Sequence, residues 1–477
     1  MKIPMEYNSL KDIQIALLSG KITTEKLVIF YLNNIESVRD LNAYIEVYQE
    51  EALSKAKELD QKIKHHPDTL GKLFGCIISV KDLIVYKNHK VNAGSGILDG
   101  FESQFSATAI EAVLKEDAII IGRTNCDEFG MGSANTNSHF GSVKNAVDPE
   151  KISGGSSGGA AVSVQTNTCL VALGTDTGGS VRQPASMCGV YGFKPGYGMV
   201  SRYGLIAYAS SFDQLGILAN NVQDIDAIMS VVSVRDDFDS TMYQTGLYCE
   251  QLSLENLALD TLKIAYISDA FENDALDPEI KSTSYQFLDE LKSKGATVEG
   301  IHFKLLDYVV PCYYILTTAE ASSNLSRYDG VKYGHRAERA GSPEEMYVYS
   351  RSEGFGKEVK KRIMLGSFVL SEAYYDAYFT KAQQVRRLIK DQMDSFFDHY
   401  DFIIMPSSPK TAWYIHEKPN DPLEIYMADI YTVLANLAGI PAISIPLGNN
   451  TDKMPFGIQV LSRVHNDRKL LNFCNQL

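Results

Sequence analysis

The sequence predicts an α/β fold in one continuous domain spanning residues 1–477. Three observations lead there. At 477 residues, a composition 45% hydrophobic and 22% charged buries a large core and excludes intrinsic disorder. Short apolar runs of strand length alternate with helical stretches, the pattern of α/β units around a buried sheet. No internal repeat, charge block or hinge-like linker divides the chain.

In chain order, Leu10, Ile13 and Leu17 share a helical face that Gly20 ends, and Thr23 caps a second helix carrying Leu27, Phe30, Tyr31 and Ile35. The first hundred residues therefore read as helical, covering a sheet. Residues 76–80 and 118–122 are its first strands, with a helix around 107–115 between them. Residues 130–220 are rich in Gly, Ser and Asn with weak periodicity, the texture of loops, yet their glycines recur in ordered clusters that argue against a linker. Residues 263–267 then read as a strand, 278–291 as a helix and 296–303 as a strand. The stretch 310–398 is mostly helical: Tyr378, Ala382, Val385, Ile389, Met393 and Phe396 step by three and four along one face. Residues 402–405, 442–445 and 456–461 supply further strands.

Charge and cysteine usage narrow the function. With 59 acidic against 45 basic side chains, the net charge of −14 repels phosphate backbones and headgroups, which argues against direct binding of nucleic acid. The 7 cysteines form no C-x-x-C pair and are too sparse for a disulfide scaffold, so they read as free, buried thiols in a reducing compartment. Neither a secretion signal nor an apolar run of membrane-spanning length is visible. A soluble, cytoplasmic protein is expected.

Two glycine-serine clusters carry the chemistry, Ser153-Gly-Gly-Ser-Ser-Gly-Gly159 and Gly174-Thr-Asp-Thr-Gly-Gly-Ser180. Glycines let backbone N–H groups converge on one oxygen, and such a nest beside a hydroxyl is what acyl transfer needs: a serine to attack a carbonyl carbon and donors for the oxyanion that forms. Rival readings fit less well. Apolar flanks at 160–162 and 170–173 oppose a flexible linker, and no lysine follows the glycines as a phosphate loop requires. Asp176-Thr-Gly178 has no second copy to make an aspartic-protease pair, and the formal G-x-S-x-G at Ser156 follows a charged, proline-broken stretch rather than a buried strand. The 9 histidines carry no motif, and no zinc-type spacing is present. Lys81 stands out as a base because it ends the apolar run 77–80, where lost hydration disfavours its ammonium.

Together, Val80-Lys81-Asp82, Gly154-Gly-Ser-Ser-Gly-Gly159, and Gly174 through Arg182 with Gln183-Pro184-Ala185 resemble the amidase signature family. That resemblance implies a mixed central sheet covered by helices on both faces, with a signature core at about 75–220 and a mostly helical substrate-side region at about 310–398. It further implies Ser180 as nucleophile, Ser156 as the bridging serine, Lys81 as base, a cis peptide between Gly155 and Ser156, and an oxyanion hole from the N–H groups of Thr177, Gly178, Gly179 and Ser180.

Within the family, the chain is similar to the A-subunit group of glutamyl-tRNA(Gln)/aspartyl-tRNA(Asn) amidotransferases. The likeness runs through Arg123-Thr-Asn-Cys-Asp-Glu-Phe-Gly-Met-Gly-Ser133, Ser201-Arg-Tyr-Gly-Leu205, and the stretches 319–330, 354–366 and 436–446; Arg123 and Gly196 are small departures away from the triad. This group implies glutamine as substrate, with Arg362 for its carboxylate, Asp429 for its ammonium, and Met131 and Tyr313 nearby. It also implies a heterotrimer with B and C subunits. ATP, Mg²⁺ and misacylated tRNA would belong to the B subunit, while this chain carries no cofactor or metal. A free-standing amidase for small or aryl amides is the alternative; it would have no use for the Arg362 and Asp429 pair.

Overall fold

The computed structural model describes residues 7–243, 248, 255, 257–417 and 427–477; Cys249 and Met1 to Glu6 lie outside them. The frame is an eleven-stranded mixed sheet. Its strands are β1 (Tyr44–Val47), β2 (Ile77–Lys81), β3 (Ile119–Thr124), β4 (Val171–Asp176), β5 (Tyr191–Lys194), β6 (Gln214–Ala219), β7 (Lys263–Ile267), β8 (Thr297–Ile301), β9 (Phe402–Pro406), β10 (Ala442–Asn449) and β11 (Pro455–Ser462). In space they run β1-β3-β2-β4-β6-β5-β10-β11-β9-β7-β8. β3, β2 and β4 are parallel, as are β9, β7 and β8, and the other neighbours are antiparallel. β2, β3, β4, β6, β9 and β11 are buried along their whole length, so helices cover both faces of the sheet.

Local rules account for many of the ends. Ser9 caps Leu10–Leu18 by accepting from Asp12 N–H, and Thr23 caps Thr24–Ser37 by accepting from Lys26 N–H. The six described cysteines are free and buried. Among the described residues, no helix is long and apolar enough to cross a membrane.

Three sequence expectations need correction. The first hundred residues are not wholly helical: Tyr44–Val47 forms β1 on the sheet edge, a four-residue strand too short for its alternation to stand out. The glycine-rich stretch holds helices Gly158–Gln165 and Arg182–Cys188 as well as β4, β5 and β6. Packing against neighbouring backbone overrides glycine's low propensity there: a β-carbon at Gly159 would collide with Asn125 and Ala43. Finally, the stripe from Tyr378 to Phe396 is broken at both ends. Tyr378 lies in a π turn, Asp376–Thr380, and is 40% exposed; this wider turn shifts the register ahead of Lys381–Phe397. At the other end the i+4 step from Met393 buries Phe397, while Phe396 is half-buried.

The parallel trio positions the site. β2 ends at Lys81, β3 at Thr124 and β4 at Asp176, so their carboxyl ends open onto the same edge. The loop after β3 carries Asp127, Met131 and Ser133, and the turn after β4 carries Thr177 to Ser180. Crevices at the carboxyl ends of parallel strands are the usual ligand sites of α/β sheets.

Candidate active site

Lys81 is fully buried at the end of β2. Its Nζ donates to Ser156 Oγ at 2.7 Å, Ser157 Oγ at 2.8 Å and Thr175 Oγ1 at 2.9 Å. Desolvation brings its pKa down to about 8 against the pull of neighbouring Cys126, Asp127, Asp176 and Asp213, so a neutral amine is accessible near physiological pH. Ser157 donates its own hydroxyl proton toward Thr175 O at 3.1 Å. Ser156, next to a cis Gly155–Ser156 peptide, is fully buried. The Ser157 N–H donates to Ser180 O at 3.0 Å, tying the two serine clusters together, and Ser180 sits 8% exposed at their mouth.

The turn before Ser180 is held from below. Arg182 donates to both Asp176 oxygens at 3.0 Å and reaches Thr432 O, Gln459 and Asn436 from the same guanidinium. Burial would raise the Asp176 carboxyl, but Arg182 holds it below the usual carboxylate range. An ion-paired Asp176 with both oxygens occupied is unsuited to sharing a proton as an aspartic protease requires. It also accepts the Gly179 N–H at 2.8 Å, which the left-handed φ of +124° at Gly179 aims downward. That N–H, expected to face the substrate, is therefore committed to the carboxylate.

The residues expected to bind substrate gather above. Tyr313 packs on Gly178, where a β-carbon would collide with its ring. Thr432 Oγ1 donates to Gly178 O at 2.8 Å, and Thr432 N–H donates to Asp429 O at 3.1 Å. Asp429 accepts from Ser133 Oγ at 2.9 and 2.8 Å and from Tyr314 Oη at 3.0 Å, and burial pushes its carboxyl up to about 6. Arg362 is buried between Tyr208 and Tyr314, with its guanidinium 5.6 and 5.2 Å from the two ring centres. It donates to Tyr208 Oη at 2.9 Å and to Glu358 at 2.9 Å. Tyr314 thus touches both charges. Met131 is fully buried on the Ser133 loop, which Asp127 orders by accepting the N–H groups of Asn135 and Asn137 at 2.8 and 3.1 Å. Among the described residues, no group of three or more His, Cys, Asp or Glu side chains is placed to hold a metal.

Sequence reasoning missed Ser157, Thr175, Ser133, Tyr208 and Tyr314. Ser157 and Thr175 had a signal, since both lie inside the glycine clusters. Tyr208 and Tyr314 had none, because an isolated tyrosine declares a partner only once the fold brings Arg362 and Asp429 to it.

A sequence profile of the Amidase family matches residues 26–471. The A subunit of the glutamyl-tRNA(Gln) amidotransferase of Chlorobium limicola is 44% identical over 475 residues, 99% of each chain, and that of Chlorobium phaeobacteroides is 45% identical over 469 residues, 98% of each. Among solved structures, the A subunit of the glutamyl-tRNA(Gln) amidotransferase of Thermotoga maritima superimposes with a TM-score of 0.80 at 35% identity, covering 99% of this chain and 95% of the other. A bacterial aryl acylamidase shares the fold, with a TM-score of 0.81 at 22% identity over 99% of this chain and 96% of that one. With the buried lysine, the two serine clusters and these likenesses all spanning the same chain, it belongs to the amidase family.

Proposed function

We propose that the chain is the glutamine-hydrolysing subunit of a tRNA-dependent amidotransferase, folded as a single amidase domain and working in the cytoplasm. The observation that carries this reading is the pair of buried opposite charges, Arg362 and Asp429, that share contact with Tyr314 beside the Gly178 turn. A guanidinium and a carboxylate together match the carboxylate and ammonium of a free amino acid, and a neutral amide needs neither.

In this mechanism Ser180 Oγ attacks the side-chain amide carbon of glutamine. Its proton moves to Ser156 Oγ as Ser156 passes its own to neutral Lys81; Ser157 is unsuited to that step because its proton already points at Thr175 O. The N–H groups of Thr177, Gly178 and Ser180 stabilise the oxyanion, with Gly179 supporting them through Asp176. Lys81 returns the proton through Ser156 to the departing ammonia. Water then cleaves the acyl-enzyme by the same relay and releases glutamate. The relatives are named as A subunits of a glutamyl-tRNA(Gln) amidotransferase; in the group that this chain resembles, ammonia would pass to a B subunit that would use ATP and Mg²⁺ to activate the glutamyl group of misacylated tRNA, with a C subunit bracing the pair. The net charge of −14 agrees with tRNA being held by the partner. The test is ammonia release from glutamine by the purified chain, alone and with its partner subunits. Hydrolysis of aryl or small neutral amides in preference to glutamine would overturn the proposal in favour of a free-standing amidase.

A further inference from the structure

Glu128 is 2% exposed, and burial pushes its carboxyl up to about 7 against the opposing pull of the Ser95 hydroxyl, the Gly356 N–H and the Lys360 charge. Both carboxylate oxygens accept the Gly356 N–H, at 3.0 and 2.9 Å, and one also accepts the Ser95 hydroxyl. Gly356 is the residue before helix Lys357–Val369 and supplies no side-chain cap. Glu128 therefore caps that helix from a distant loop, its carboxyl oxygens taking the N–H of the residue that opens it. The contact is close enough that a β-carbon at Gly356 would collide with Glu128 Oε2. Beside it, the rings of Phe129 and Phe355 pack with centres 5.7 Å apart, joining the same two segments a second time. On one side of this joint, the loop continues to Met131 and to Ser133, which donates to Asp429. On the other, the helix carries Arg362.

We infer that Glu128 is a positioning residue for glutamine: by capping the Arg362 helix from the Ser133 loop, it sets the separation of the two charges that hold the amino-acid end of the substrate. The inference rests on the proposed glutaminase reading, and the experiment keeps the two apart. Wild type, E128A, E128Q and G356A full-length chains are compared for kcat and KM with glutamine, and for hydrolysis of acetamide. E128A and G356A should raise the glutamine KM by about tenfold or more while kcat and acetamide hydrolysis stay within about threefold. E128Q keeps an acceptor for the Gly356 N–H and should restore KM to within about threefold of wild type. If E128A fails to fold, G356A and E128Q carry the test. An unchanged KM in G356A, a fall in kcat alone, or equal losses on both substrates would overturn the role of Glu128. A wild type that does not hydrolyse glutamine would instead overturn the underlying reading.

Discussion

If Lys81 is the base, its depressed pKa sets how activity responds to pH. The fall from 10.5 to about 8 disfavours the ammonium by roughly 3 kcal/mol. At pH 7 about one Lys81 in ten is then neutral, against about one in three thousand for an unshifted lysine, so burial raises the working base by roughly 300-fold. The amine accepts a proton only when neutral, so kcat for glutamine should climb about eightfold from pH 6.5 to 7.5 and level off above about pH 9. The assay is coupled detection of glutamate at saturating glutamine across that range, with thermal melts at each pH to exclude unfolding. Lys81→Met should lose both the activity and the slope. A flat profile between pH 6.5 and 8.5, or a midpoint near 10, would refute the desolvated-lysine argument.

Other outcomes follow from the same geometry. Ser180→Ala should abolish glutamine hydrolysis, yet in complex with the B and C partners it should still amidate glutamyl-tRNA from added ammonium; failure to use ammonium would refute the division of labour. Asp429→Asn and Arg362→Ala should each weaken transition-state binding of glutamine by roughly 2–5 kcal/mol, read as kcat/KM, because each leaves a buried partner unsatisfied, while acetamide turnover changes little. With the Asp429 carboxyl raised to about 6, protonation as the pH falls through that value removes the charge that meets the ammonium, so KM for glutamine should rise below about pH 6. On the proposed single-domain reading, the chain should unfold in one calorimetric transition; two separable transitions would overturn that reading.

Strand-length apolar runs make β2 and β3 legible because burial on both faces demands continuous Ile and Val, and the same run marks Lys81 by ending on it. Caps at Ser9 and Thr23 are equally local, and Thr23 is readable from the sequence directly. β1 and the helices in the glycine-rich stretch are not legible. Their stability comes from backbone packed closely on backbone, as at Gly159, which leaves no periodic apolar signal.

The sequence by itself determined the chemistry available to this protein: serines inside glycine clusters, a lysine ending a buried strand, and a surplus of acid that argues against direct binding of nucleic acid. Only the tertiary structure decided which groups face one another. It turned the Gly179 N–H to Asp176, set Tyr314 against both Asp429 and Arg362, and capped the Arg362 helix with Glu128. The physical reason is separation along the chain. Hydrogen-bond direction and burial between Glu128 and Gly356, 228 residues apart, exist only after the sheet has ordered both loops, whereas propensity and periodicity act within a few turns.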